Sequence, residues 1–157
     1  MIILFSTLKR LFLLEVKILS NGPIINAIRV AYDLDGVIAK TPVKFYNLLK
    51  RCRPLLYVCS LLCPVKMRPL RSPDGRQFVT IITGRSIKDK KITEIWLKLH
   101  GIIGDVYYNP DSYSKESAIE HKARMINKLG IKVYYEDEWD IAVELRRRCP
   151  QCEVRIV

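Results

Sequence analysis

Short apolar runs alternate with longer amphipathic stretches along most of the chain. Short apolar runs predict buried strands, and stretches whose apolar residues recur every three or four positions predict helices. The pattern predicts strands at residues 28–33, 78–83 and 105–108, a fourth just before the acids at 136–138, and a fifth at 153–157. It predicts helices at residues 87–100, 114–130 and 138–148. This alternation indicates an α/β fold, Rossmann-like, with a parallel sheet covered by helices on both faces.

The segments outside this alternation define the domain organisation. The chain of 157 residues has the size of one domain, which we place at residues 23–157. Residues 41–70 form an insertion of largely helical character between the first two strands. Residues 1–22 are an apolar extension that charged residues interrupt: Lys9, Arg10, Glu15 and Lys17. Because a membrane-spanning helix needs a nearly uncharged segment, we expect no transmembrane segment there and a cytoplasmic protein.

Two acidic residues stand at the end of the first predicted strand. Asp33 and Asp35 close an apolar run, and Gly36 follows directly. Gly36 permits a sharp turn, so both carboxylates emerge at the carboxyl end of the strand, the edge where open α/β sheets bind ligands. Two negative charges so close repel each other unless a cation lies between them. Mg²⁺ is the cation that such hard oxygen ligands favour.

Two further motifs follow in chain order. The second predicted strand ends in Thr83-Gly-Arg, and the fourth ends in Glu136-Asp-Glu. Together with Asp33-Leu-Asp-Gly-Val, they resemble the signatures of the haloacid dehalogenase superfamily, whose members transfer phosphoryl groups through an aspartate nucleophile. The resemblance covers nearly all of residues 28–157, with Val37 where Thr is commoner. It implies that the first strand is central in the sheet and that the insertion is a small cap over the active site.

The resemblance also implies a role for each motif residue. Asp33 is the expected nucleophile, and Asp35 is the acid and base that serves the leaving group and then the water. Thr83 is expected to hydrogen-bond the transferring phosphoryl group. Gly84 lets the backbone approach a phosphate, and the guanidinium of Arg85 matches phosphate geometry, although Arg85 fits a solvated helix start equally well.

The expected metal site holds Mg²⁺ between the first and fourth strands. The resemblance implies Asp33, Asp35 through its backbone carbonyl, and Asp137 as ligands. Glu136 stands where Asp is commoner, which leaves open the carboxylate that touches the metal. Asp137 is favoured by its position, with Glu136 or Asp140 in support.

The family also uses a lysine on a helix, and two lysines fit. Lys122 lies on the apolar stripe of the predicted helix at residues 114–130, and its local sequence matches the family pattern better. Lys115 lies at the start of the same helix, nearer to the carboxyl ends of the strands. We choose Lys122 as the phosphate-binding lysine and leave Lys115 open, since either could be an exposed helix cation.

The chain is strongly basic. Lys and Arg number 27 against 16 Asp and Glu, which gives a formal net charge of +11. An excess of this size favours a polyanionic partner such as nucleic acid or an anionic membrane surface, although solvated basic faces without a partner are also common. Two basic clusters, at residues 40–53 and 66–76, flank the expected active site in sequence.

Three functions remain open. The first is a Mg²⁺-dependent phosphatase that acts on nucleotides or small phosphate esters. The second is a 3′-phosphatase on nucleic-acid ends, because Thr93-Glu-Ile-Trp-Leu resembles a segment of the phosphatase domains of polynucleotide kinase–phosphatases. Trp96 in that segment fits a helix core just as well. The third is a catalytically silent relative that binds nucleic acid or a membrane surface, against which the intact acidic motifs argue.

The five cysteines include two close pairs. Cys149 and Cys152 form a CxxC motif, and Cys59 and Cys63 are the other pair. Zinc sites normally combine two CxxC-type pairs, and only one is present. Structural zinc is therefore the least favoured interpretation, after disulfides and buried small apolar residues.

Overall fold

A five-stranded parallel sheet forms the centre of the protein. The computed structural model describes residues 29–41, 53–69, 78–111 and 114–157. The strands have the order β3–β2–β1–β4–β5, and each neighbouring pair is parallel. Their bounds are Val30–Tyr32 for β1, Phe78–Ser86 for β2, Ile103–Asn109 for β3, Val133–Glu136 for β4 and Glu153–Ile156 for β5. The predicted α/β class and the central position of β1 are therefore confirmed.

Helices connect the strands, as right-handed crossovers between parallel strands require. They are α1 (Arg53–Leu62), α2 (Lys90–Leu99), α3 (Lys115–Leu129) and α4 (Trp139–Arg148), with a 3₁₀ turn at Ile87–Asp89 before α2. The boundaries of α3 follow from its caps. Ser114 accepts a hydrogen bond from the Ser117 amide at the start, and Gly130 adopts a left-handed conformation, with φ of 62°, at the end.

The two faces of the sheet bury separate hydrophobic cores. One core lies under α3 and α4 and contains Ile126, Tyr134 and Leu145, all fully buried. The other lies under α2 and contains Leu34 and Trp96. Successive strand residues point to opposite faces, so a strand that feeds both cores must be apolar at every position. This requirement explains the continuous apolar runs from which the strands were predicted.

The described part of the insertion is helical at α1 and packs beside the loop after β1. The Lys40 amide donates to the Pro64 carbonyl at 2.9 Å, and the Lys66 amide donates to the Ile38 carbonyl at 2.7 Å. The Trp96 indole donates to the Cys63 carbonyl at 2.8 Å, which fixes the end of α1 to α2. The role of the insertion as a cap stays a prediction. The apolar extension at residues 1–22 and residues 42–52 lie outside the described residues.

Strand β2 is longer than the sequence pattern predicts. It continues past Thr83 to Ser86, and its pairing with β3 is irregular between Ile82 and Ser86. The prediction ended the strand at Thr83 because glycine and arginine interrupt the apolar run there. Backbone pairing at Ser86 with Asn109 extends the strand without an apolar side chain to signal it.

Two further findings concern the cysteines and the helices. Cys59, Cys63, Cys149 and Cys152 are free thiols, and the last three are buried. No helix within the described ranges is long and apolar enough to cross a membrane.

We expect Trp96→Phe to destabilise the protein by about 1–3 kcal/mol, because it leaves the buried Cys63 carbonyl without its donor. Leu99→Ala is the matched control on the same helix, since Leu99 is 66% exposed. We expect that control to change the free energy of unfolding by less than about 0.5 kcal/mol. Denaturant titration measures both, and equal effects of the two substitutions would contradict the assigned role of Trp96.

Candidate functional site

The carboxyl ends of three adjacent strands bring the sequence motifs together. Asp33 directly follows the central strand β1, Thr83 lies in β2, and Glu136 is the last residue of β4. The Asp33 amide donates to the Tyr135 carbonyl at 2.9 Å, so the ladder between β1 and β4 holds this aspartate in place. Strand pairing therefore sets the position of Asp33 independently of its side-chain contacts.

A buried lysine joins the acids of β1 and β4. Lys122 Nζ donates to Asp33 Oδ2 at 2.7 Å and to Glu136 Oε2 at 2.8 Å. The lysine side chain is 2% exposed, Asp33 is 7% exposed and Glu136 is fully buried. Removing both carboxylates would leave the ammonium as an uncompensated buried charge, a change that typically costs about 3–5 kcal/mol. The three side chains therefore depend on one another for their charge states.

Burial has the largest effect on the pKa values of these three side chains, and the charges of their partners come second. Burial raises the pKa of Asp33 to about 7, against the opposing pull of Lys122, and the nearby charge of Glu136 adds to the rise. Burial likewise raises the pKa of Glu136, although Lys122 opposes it. Burial alone would lower the pKa of Lys122, but its two carboxylate partners raise it. Lys122 therefore stays charged, and its single positive charge faces two carboxyl groups.

Asp137 is the third carboxylate of a cluster whose possible metal ligands are all oxygen atoms. Ligand atoms of Asp33, Glu136 and Asp137 lie within 4.8 Å of one another. Burial and the charge of Asp33 raise the pKa of Asp137. Both oxygens of Glu136 already accept hydrogen bonds, Oε2 from Lys122 and Oε1 from the amides of residues 137 and 138. Asp33 also accepts hydrogen bonds at both oxygens, Oδ2 from Lys122 and Oδ1 from the Leu34 amide at 2.7 Å, so Asp137 is the carboxylate of the three best placed to offer oxygens to a cation.

The second aspartate of the first motif has different partners. Arg85 contacts Asp35 through two hydrogen bonds, Nε to Oδ2 at 2.7 Å and Nη2 to Oδ1 at 2.6 Å. Thr41 Oγ1 donates to Asp35 Oδ1 at 2.6 Å. Burial alone would raise the pKa of Asp35, but Arg85 and then Thr41 hold it below its usual value. Asp35 is thus an ionised carboxylate bound to Arg85, and it is not one of the three grouped carboxylates.

Arg85 and Thr83 are both deeply placed in β2. The Arg85 side chain is 8% exposed, and its Nη1 donates to Thr93 Oγ1 at 3.1 Å. Thr83 is fully buried, and its hydroxyl accepts a hydrogen bond from the Arg85 amide at 3.2 Å. Gly84, between them, is also buried. The guanidinium that the sequence assigned to substrate phosphate is thus bound to Asp35 and Thr93 in this structure.

Gly36 lets the loop after β1 pass close to Asp137. Its φ of +73° is in the left-handed region, and a Cβ added there would collide with the Asp137 carboxylate. Glycine is the residue that satisfies both the conformation and the space. The sharp turn inferred from the sequence is present. The close approach of the loop to Asp137 is a second reason for glycine at position 36.

Some sequence-based candidates lie outside this cluster. Lys115 Nζ pairs with Asp140 Oδ2 at 2.7 Å, and that pair is largely exposed, with side chains 41% and 74% accessible. Lys115 is therefore not the lysine beside Asp33, and Asp140 is not among the clustered carboxylates. The sequence did not single out Thr41 as a partner of Asp35. A hydroxyl six residues after an aspartate has no periodic signal, because an irregular loop brings the two together.

The chain resembles known proteins only distantly, in fold. No family model matches the chain, and no curated protein sequence matches it. Among solved structures, a chain of the "Pnkp1/Rnl/Hen1 RNA repair complex" is similar, with a TM-score of 0.59 and 17% sequence identity. The match covers 82% of this chain and 42% of that one, so the protein spans less than half the length of its structural neighbour. At this identity the likeness shows the α/β fold.

We expect Gly36→Ala to destabilise the protein more than Gly101→Ala. Both glycines have positive φ, but a Cβ at Gly101 would meet no atom within 4 Å. Gly101→Ala should therefore cost only the backbone strain of about 1–2 kcal/mol. The collision with Asp137 should add at least about 1 kcal/mol for Gly36→Ala. Denaturant titration of both variants measures the difference, and equal losses would show that the loop makes room for a side chain.

We expect Asp33→Asn to stabilise the metal-free protein at neutral and alkaline pH. The pKa of Asp33 rises from 3.8 to about 7 on folding. The folded state therefore holds a proton that the unfolded state has lost, so the stability that Asp33 contributes falls as pH rises across that interval. Lys122 keeps Glu136 as a partner in the variant.

Thermal unfolding in a chelating buffer from pH 4 to pH 8 measures this effect. The midpoints of wild type and Asp33→Asn should diverge with rising pH, in favour of the variant, and stop diverging above about pH 7. Curves that stay parallel across the interval would contradict the raised pKa.

Proposed function

We propose that the protein is a Mg²⁺-dependent phosphomonoester hydrolase of the haloacid dehalogenase type, which works through an aspartyl-phosphate. The observation on which this rests is the buried contact of Lys122 with Asp33 at the carboxyl end of the central strand, beside two further carboxylates. A carboxylate so placed has the position of a nucleophile, and its lysine is near any phosphoryl group that approaches it. The resemblance of three motifs in the expected chain order supports the same chemistry.

In the first step an oxygen of Asp33 attacks phosphorus, and the bond from phosphorus to the leaving oxygen breaks. The leaving oxygen takes a proton from Asp35. In the second step water attacks the same phosphorus and gives its proton to Asp35, and the bond from phosphorus to Asp33 breaks to release inorganic phosphate. Covalent catalysis of this kind divides one difficult displacement into two easier ones.

Asp35 must gain a proton before it can serve the leaving group. Arg85 keeps its pKa low in the free protein. A doubly negative phosphate nearby would raise the pKa of Asp35 and would compete with it for the guanidinium. Substrate binding therefore favours the protonated acid that the first step needs, and after departure of the leaving group the same residue acts as a base.

The carboxylate cluster fits Mg²⁺, because its possible ligands are hard oxygen atoms and its three carboxyl groups share the positive charge of only one lysine, Lys122, within the described residues. Asp33 and Asp137 would hold the ion, with the Asp35 backbone carbonyl as the third expected ligand. Bound there, Mg²⁺ would supply charge neutralisation and orientation for the phosphate. Lys122 would add a fixed positive charge on the phosphoryl oxygens, and Thr83 is the expected hydroxyl donor.

A 3′-phosphatase on nucleic-acid ends is the second candidate. The net charge of +11 favours a polyanionic substrate, and the structural neighbour is named as part of an RNA repair complex. A silent binding protein is less well supported, because simple anion binding requires no buried lysine shared between two acids. Nucleotides and small phosphate esters remain the first substrate class to test.

We expect Mg²⁺-dependent release of phosphate by wild type and a loss of at least about a thousandfold in kcat for Asp33→Asn. Asp105→Asn is the matched control, because it makes the same chemical change at an exposed aspartate on β3, and it should keep the wild-type rate. The panel pairs nucleoside monophosphates and a chromogenic ester with a 3′-phosphorylated oligonucleotide. Turnover by Asp33→Asn at the wild-type rate would exclude Asp33 as the nucleophile.

A further inference from the structure

A cavity opens directly beside the carboxylate cluster. Its volume is about 510 Å³, and it is lined by Gly36, Lys40, Thr41, Val65, Lys66 and Asp137. Asp137 belongs to the proposed metal site, and Thr41 is hydrogen-bonded to Asp35. The cavity therefore shares Asp137 with the proposed metal site and lies next to the site at which phosphorus would react.

The backbone places two lysines on the wall of this cavity. The Lys40 amide bonds to the Pro64 carbonyl and the Lys66 amide bonds to the Ile38 carbonyl, so the insertion and the loop after β1 run side by side. Lys66 Nζ also donates to the Gly36 carbonyl at 2.6 Å. The two cationic residues are thus fixed near each other by main-chain contacts.

The positive charges of these lysines are not neutralised by acids in the described part of the chain. Neither Lys40 nor Lys66 forms an ion pair with an acidic side chain in that part. Lys66 Nζ donates to the Gly36 carbonyl and, at 3.5 Å, to a main-chain oxygen of Val157, the last residue of the sequence. The carboxylate on the cavity wall, Asp137, has the metal ion as its expected partner. The cavity is therefore suited to an anion.

The position of Asp35 indicates which part of a substrate reaches these lysines. Asp35 is the proposed proton donor to the leaving oxygen, and Thr41 links it to the cavity wall at 2.6 Å. A leaving group on that oxygen would extend into the cavity. The charge of Lys40 and Lys66 would then act on the leaving group and not on the phosphoryl group that is transferred.

We propose that Lys40 and Lys66 form a subsite for a second phosphate, carried by the leaving group of the substrate. This inference rests on the proposed function, because it takes the leaving group from the role of Asp35. The second phosphate has two sources with the same chemistry: the other phosphate of a nucleoside bisphosphate, or a backbone phosphate next to the terminal one in an oligonucleotide. Ammonium groups bind either through charge-assisted hydrogen bonds.

Binding to the Asp33→Asn protein tests the subsite without requiring turnover. Calorimetry in Mg²⁺ would compare adenosine 3′-monophosphate, adenosine 3′,5′-bisphosphate and a 3′-phosphorylated dinucleotide. We expect a ligand with a second phosphate to bind about tenfold more tightly than the monophosphate, the effect of one additional charged contact. A preference limited to one of the doubly phosphorylated ligands identifies the source of the second phosphate, and a preference shared by both shows that the subsite accepts either source.

Lys40→Ala, added to Asp33→Asn, should bring this affinity ratio close to one. Lys40 is the better residue to change, since Lys66 also contacts the Gly36 carbonyl and its loss would disturb the loop. Lys132→Ala is the matched control. Lys132 is exposed and directly precedes β4, so it lies at the amino-terminal end of that strand, whereas the site lies at the carboxyl ends of the strands. Lys40→Arg should preserve the ratio.

Equal affinities for all three ligands, or a ratio that Lys40→Ala leaves unchanged, would overturn the subsite. Turnover of the same compounds by wild type is measured separately. Absence of phosphate release together with the expected affinity ratio would contradict the proposed hydrolysis and leave the second-phosphate subsite standing. The two inferences therefore fail by different results.

Discussion

The bond of one buried ammonium to two carboxylates holds the site together. Lys122 links Asp33, at the end of the central strand, to Glu136, at the end of its neighbour. None of these three side chains could remain charged alone at that depth, because a buried unpaired ion is strongly disfavoured. Helix α3 supplies the lysine from its buried face, so the packing of the helix on the sheet fixes the lysine against both acids.

Two aspartates separated by a single residue have opposite electrostatic environments. Burial, with the nearby charge of Glu136, raises the pKa of Asp33 to about 7, whereas Arg85 holds the pKa of Asp35 below its usual value. The turn at Gly36 allows this separation, because it directs the loop away from the strand. A pair of acids whose environments differ in this way is the usual basis for a division of chemical roles.

The sequence predicted most of the fold and the residues of the central cluster, for identifiable reasons. Strands buried on both faces leave uninterrupted apolar runs, and Lys122 stood out because a cation on an apolar helix face needs a partner. The attachment of Arg85 to Asp35 could not be predicted, since it depends on how far β2 continues past Thr83. The contact of Thr41 with Asp35 was also missed, because loop geometry leaves no periodic pattern.

The distances along the chain between the joined residues imply an order of assembly. Lys122 and Glu136 are 14 positions apart, but Lys122 and Asp33 are 89 apart. Loop closure is less costly for the nearer pair, so α3 and β4 can form their ion pair as a local unit. The central strand β1 pairs with β4 of this unit on one side and with β2 on the other. Asp33 therefore meets its partners through a contact of long sequence separation, and the rate at which such contacts form depends on topology more than on the strength of the contact.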